Sequence, residues 1–123
     1  MSDYLAYQSK YRETPRESDR VLIELVSERV RQGGRVLDVG CSTGNLLRHL
    51  KAERPDLSVY GCDVDPSAVS AARGRKFFPV FLGDVTDSAQ WKRLAEPDVR
   101  DDAVILNAVL YCLDDKQTGQ ALR

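Results

Sequence analysis

Cysteine is scarce in this chain of 123 residues. Cys41, Cys62 and Cys112 make an odd number, and no two of them stand at a metal-ligand spacing. That argues against a disulfide framework and against a zinc site. Long apolar runs are missing as well. None approaches the roughly 20 residues needed to span a bilayer, and the polar start Met1-Ser2-Asp3-Tyr4 lacks an apolar signal core. No membrane contact is therefore expected, and the default compartment is the cytoplasm. Nor does charge of one sign dominate. The formal net charge is -1, and Lys and Arg are scattered rather than clustered. There is no clear nucleic-acid signal, although charge alone does not exclude RNA or DNA as a substrate. Internal repeats, low-complexity tracts and linkers are absent too. What remains, 42% apolar and 30% charged residues, is the composition of one ordinary globular domain.

The punctuation of the chain gives its organisation. Residues 1–17 form an N-terminal arm in which Tyr4, Tyr7 and Tyr11 follow no clear period, so an irregular or partly helical segment is expected. The domain proper is expected over 18–123. Ser18 or Asp19 can cap a helix whose apolar residues Val21, Leu22, Leu25, Val26 and Val30 recur at helical spacing, and Gln32-Gly33-Gly34 stops it. Arg35 to Val39 reads as a buried strand, and Asn45 to Glu53 as a helix ended by Arg54-Pro55. Leu57 to Cys62 is a second strand, and Pro66 suits the first turn of the next helix. Phe78 to Leu82 is a third strand, Asp87 to Leu94 a weak helix and Ala103 to Asn107 a fourth strand; a last helix begins near Asp114. Mostly apolar strands alternating with helices predict a Rossmann-like α/β fold, a parallel sheet with helices on both faces. Ligands of such sheets bind beyond the carboxyl ends of the strands.

Those ends carry the chemistry. Strand one ends in Asp38-Val39-Gly40, strand two in Asp63, strand three in Asp84 and strand four in Asn107. Gly40 and Gly44 let the turn Gly40-Cys41-Ser42-Thr43-Gly44 bend tightly and approach a ligand, with amides of the following helix start aimed at it. Taken alone, the turn fits a simple strand-to-helix connection equally well. The dinucleotide fingerprint is not met, because Ser42 and Asn45 stand where its second and third glycines belong. Asp38 also places negative charge where a pyrophosphate would lie, which disfavours a phosphate ligand and favours a cationic one. Asp63, nineteen residues beyond Gly44, stands where a carboxylate accepts from a ribose diol. Its structural alternative is a helix cap, for which Asp65 is the better candidate. Asp84 could accept from an adenine amino group beside the Val85 amide, or be a loop or cap residue.

Four segments then resemble the motifs of class I S-adenosylmethionine-dependent methyltransferases. Val36-Leu37-Asp38-Val39-Gly40-Cys41-Ser42-Thr43-Gly44 is similar to the glycine motif usually written VLDxGCGTG, with Ser42 replacing the common glycine. Val59 to Ala68 resembles the ribose-binding segment and Phe81-Leu82-Gly83-Asp84-Val85 the adenine-binding one. Asp102 to Leu113 is similar to the segment FDLVxxxxVLHHL, with Asp101 at the usual phenylalanine and Tyr111-Cys112 at the paired histidines. The resemblance implies S-adenosyl-L-methionine as cofactor. The turn backbone at 40–44 (Gly40, Cys41, Ser42, Thr43 and Gly44) would hold the methionine moiety, and Asp38 would orient its amino group through water. Asp63 would hold the ribose, Val64 would pack on the adenine, and Asp84 with Val85 would read its edge. Asn107, or the Leu106 carbonyl, would contact the methionine end, and Tyr11 would close over the cofactor.

The same resemblance implies direct methyl displacement, a reaction in which alignment and exclusion of water matter most. No acid or base is apparent; the single histidine, His49, reads as a surface or packing residue. The family's sheet has seven strands in the order 3-2-1-4-5-7-6, and this chain offers only strands one to four. Strand four would be an apolar edge, so a partner chain or a missing C-terminal half is expected to complete the sheet. Asn107-Ala108-Val109-Leu110 differs from the Asn/Asp-Pro-Pro-Tyr of amino-methylating enzymes, which makes a small-molecule acceptor the default. Two rivals need other residues: a receiver-type signalling domain needs paired acids after strand one, and a nicotinamide dehydrogenase needs the pyrophosphate glycines. A third rival, a subunit that binds the cofactor without turnover, is separable only by assay.

Overall fold

The computed structural model describes residues 6–7, 9–84, 87 and 101–106. Four parallel strands lie in the order β3-β2-β1-β4, with β1 at Arg35–Val39, β2 at Ser58–Asp63, β3 at Val80–Leu82 and β4 at Ala103–Ile105. Helices α1 at Glu17–Arg29, α2 at Asn45–Glu53 and α3 at Pro66–Arg75 precede β1, β2 and β3 respectively. The register pairs Val39 with Cys62 and Asp63 with Leu82, so the ends of the three strands that carry acidic residues are neighbours.

Alternation along each strand divides the core in two. Val36, Val59, Val80 and Ile105 turn to one face, where Ile23 and Val26 of α1, Leu47 and Leu50 of α2, and Val69 and Ala72 of α3 cover them. Leu37, Val39 and Cys62 turn to the other, with Tyr60, Phe81 and Leu106 against them. The helices expected over 87–94 and from 114 lie outside the described residues except for Asp87. The close fit of α2 on the sheet depends on Gly61. A Cβ there would lie 2.7 Å from the Cys41 side chain, so glycine lets the turn pack directly on β2.

The start of α1 differs from the sequence-based expectation. The N-terminus of α1 is not capped by Ser18 or Asp19. Arg16 is the cap residue and makes no side-chain cap bond, while Asp19 is buried inside the first turn. The buried stripe of α1 runs through Asp19, Ile23 and Val26, leaving Val21 59% and Leu25 45% exposed. Helical spacing identified the helix, but a stripe containing a charged residue is invisible to a search for apolar periodicity. In α3 the expectation of Asp65 as cap holds. Its carboxylate accepts from the Ser67 amide at 2.9 Å, with Pro66 in the first turn.

Candidate cofactor site

The glycine turn is built from backbone that side chains tolerate poorly. Gly40 and Gly44 have φ of 76° and 85°. A Cβ on Gly44 would also lie 2.7 Å from the Phe78 ring. Ser42, at the position where the family resemblance has glycine, has φ of 53°, so a serine occupies left-handed backbone there. The Gly40 and Cys41 amides both donate to the Cys62 carbonyl, at 2.8 and 3.0 Å, pinning the turn to the end of β2.

Asp63 organises the meeting of the two strands. Its Oδ2 accepts from the Ser42 amide at 2.8 Å and its Oδ1 from the Asp65 amide at 2.9 Å. The Gly83 amide donates to the Asp63 carbonyl at 2.9 Å, drawing in the end of β3. Each carboxylate oxygen keeps a second acceptor direction. Val64, the next residue, is 62% exposed, an apolar surface open to a flat ligand.

Asp38 is recessed. It is 3% exposed, and by strand alternation it shares the helix-covered face with Asp63. Burial, reinforced by the carboxylates of Asp19 and Asp63, pushes its carboxyl up to about 8, against the pull of the Arg16 guanidinium. Three acidic groups thus converge on this end of the sheet, and Arg16 opposes them. Arg16 grips Asp19 with two bonds, Nε to Oδ2 at 3.1 Å and Nη2 to Oδ1 at 3.0 Å. Ser42 Oγ and Thr43 Oγ1 are buried without a hydrogen-bond partner among the described residues. Unused hydroxyls and a carboxyl short of positive charge fit an ammonium-bearing ligand with polar atoms against the turn.

The arm reaches this region. His49 Nε2 meets the Tyr11 carbonyl at 3.0 Å; a carbonyl only accepts, so the imidazole donates. Arg48 donates to the Arg12 carbonyl at 3.0 Å. The Tyr11 ring lies 6.0 Å from the Arg16 guanidinium and 5.3 Å from the Tyr7 ring. His49 therefore holds the arm on α2.

The turn residues, Asp38 and Asp63 are brought together, and Tyr11 joins them through Arg16. Cys41 contributes no side chain to the crevice. Burial pushes its thiol upward and packs it toward Gly61; burial likewise raises Cys62, to about 12. Asp84 is exposed beyond β3, and its carbonyl accepts from the Asp87 amide at 3.0 Å. Val85 and Asn107 lie outside the described residues. Arg16 and the Thr43 hydroxyl were not singled out in the sequence. For Arg16 a signal existed, an arginine three residues before an aspartate at a helix start.

Comparison with known proteins agrees with this fold. Residues 37–123 match the methyltransferase domain family. Trans-aconitate 2-methyltransferase of Methylobacterium radiotolerans is 34% identical over 82 residues, covering 67% of this chain and 29% of that protein. Release factor glutamine methyltransferase of Dictyoglomus turgidum is 31% identical over 61 residues, covering 48% and 22%. The crystal structure of the sugar N-methyltransferase KedS8 from Streptoalloteichus superposes with a TM-score of 0.70 at 25% identity, covering 99% of this chain and 47% of that one. The chain belongs to the methyltransferase domain family and has the class I, Rossmann-like fold of S-adenosylmethionine-dependent methyltransferases. It spans less than half the length of each of these relatives. Among the described residues no helix is long and apolar enough to cross a membrane.

Proposed function

We propose that residues 18–123, with the arm 1–17 folded against them, bind S-adenosylmethionine at the glycine turn and serve methyl transfer to a small-molecule acceptor. The observation that carries the reading is the recessed Asp38 carboxyl, raised by burial and by two neighbouring carboxylates beside unpartnered turn hydroxyls. Such a site gains from a cation that bears no phosphate. When bound, the cofactor supplies a methyl group already activated by its sulfonium. The chain's own groups do the rest. The backbone of 40–44 holds the methionine moiety, and Asp38 orients its ammonium through water. Asp63 accepts from the ribose, Val64 covers the adenine, and Asp84 with Val85 reads its edge. Asn107 or the Leu106 carbonyl meets the methionine end, and Tyr11, held by His49, closes the crevice against water.

A small-molecule acceptor is supported by the trans-aconitate and sugar relatives. The glutamine-methylating relative matches a shorter stretch, and this chain lacks the Asn/Asp-Pro-Pro-Tyr segment at 107–110. Among the described residues β4 is an edge strand. In this reading further strands, from more of the same polypeptide or from a partner chain, pair there. Free, buried Cys41 and Cys62 suit a reducing compartment, the cytoplasm.

Calorimetric titration with S-adenosylmethionine, run beside an assay for methyl release, tests the proposal. Binding with turnover on a small acceptor supports it. Binding without turnover on any acceptor, with the sheet completed, favours a cofactor-binding subunit instead, and no binding contradicts both.

A further inference from the structure

A second cavity lies outside the crevice, and its wall contains none of Asp38, Asp63 or Asp84. It measures about 400 Å³ and opens between the arm, the start of α2 and the end of α3, a volume in the range of small-ligand sites. Arg12, Arg48 and Arg75 enter its wall, and Glu13 is the one carboxylate among the described lining residues.

Two of the arginines are held in place. Arg75 Nη1 donates to Asn45 Oδ1 at 2.8 Å. Arg48 lies 5.0 Å from the centre of the exposed Phe77 ring and pairs with Glu13 at 3.3 Å. The cluster is short of negative charge. Burial, and then the fields of Arg12 and Arg48, pull Arg75 below the ordinary arginine value, with Glu13 acting the other way. Thr43 adds a buried hydroxyl to the same wall. It is 6% exposed, belongs to the wall, and its Oγ1 has no hydrogen-bond partner among the described residues.

We propose that this cavity is a binding site for a small multivalent oxyanion, a di- or tricarboxylate or a phosphate, gripped by Arg12, Arg48 and Arg75 with the Thr43 hydroxyl. Guanidinium forks match both kinds of oxyanion, often with two parallel bonds. The site stands apart from the cofactor reading, but Thr43 belongs to both walls. An anion held here would therefore bear on the back of the glycine turn.

The test is calorimetric titration of the whole chain with citrate and, separately, with inorganic phosphate, at constant ionic strength held with sodium chloride. Saturable binding of one anion per chain is expected. Arg12→Gln and Arg75→Gln should each weaken it about tenfold, the scale of one charge-assisted hydrogen bond. Glu13→Gln should tighten it by removing the competing carboxylate. The Arg12 and Glu13 side chains lie at the surface, so these two variants report on binding even if Arg75→Gln disturbs folding. S-adenosylhomocysteine titrated into the citrate-saturated chain should leave the anion bound. If S-adenosylhomocysteine fails to bind, the cofactor reading fails while this one stands. Displacement of the anion by S-adenosylhomocysteine would overturn the proposal. So would titrations that do not saturate by about 10 mM, beyond which affinity is negligible, or equal affinity in all three variants and the parent.

Discussion

Ser42 and Asp38 show how much local cost this turn tolerates. Left-handed backbone costs an ordinary residue about 1–2 kcal/mol, and Ser42 adopts it while its amide holds Asp63. Ser42→Gly relieves that strain but loosens the unfolded chain by about 0.4–1 kcal/mol. The expected net effect is between neutral and about 1 kcal/mol of stabilisation, whereas Ser42→Val should destabilise by more than 1 kcal/mol or so; urea denaturation measures both. Asp38 makes stability depend on pH. Its folded carboxyl titrates near 8, whereas an unfolded aspartate titrates near 3.9. Between those values the folded state holds more protons than the unfolded state, so stability falls as pH rises through the window and levels off above it. Denaturation midpoints at intervals from about pH 5 to pH 9 should therefore decline in the parent and flatten in Asp38→Asn. A slope unchanged by that substitution would assign the effect to another group.

At the scale of elements, the start of α1 is secured by a buried ion pair in place of a cap. Removing Arg16 would take its guanidinium away from Asp19, which is buried and adds its charge to the field on Asp38. Arg16→Ala should then destabilise by about 3 kcal/mol, the lower end of the range for a broken buried pair, since Arg16 is partly exposed. A loss under about 0.5 kcal/mol, typical of exposed pairs, would show that the pair contributes little. The legibility of each element follows from its chemistry. Strand β1 and helix α2 were readable to the residue, because the short segment carrying Val36, Leu37 and Val39 ends at a glycine turn and Arg54-Pro55 closes the helix. Strand β3 was read two residues too long at its start. Phe78 and Pro79 are apolar enough to look like strand, but Phe78 packs on Gly44 and the ladder begins at Val80. The buried face of α1 was misread because its first member is an aspartate.

For the whole molecule, parallel order and the gathering of acidic strand ends were legible, because an apolar strand followed by a helix leaves few topologies. The depth of Asp38, the role of Arg16 and the basic cavity were not, since each depends on side chains brought together from distant segments. Arg12, Thr43 and Arg75 share a wall only because the arm crosses the starts and ends of two helices. No local pattern encodes that.

The central claim is that Asp63 and the glycine turn hold an adenosyl ligand. Its most direct test is calorimetric titration of S-adenosylhomocysteine into the parent chain and into Asp63→Ala. The account predicts binding to the parent and a loss of about 1–3 kcal/mol in the variant, the scale for charge-assisted hydrogen bonds. Equal affinity in the two chains would contradict it.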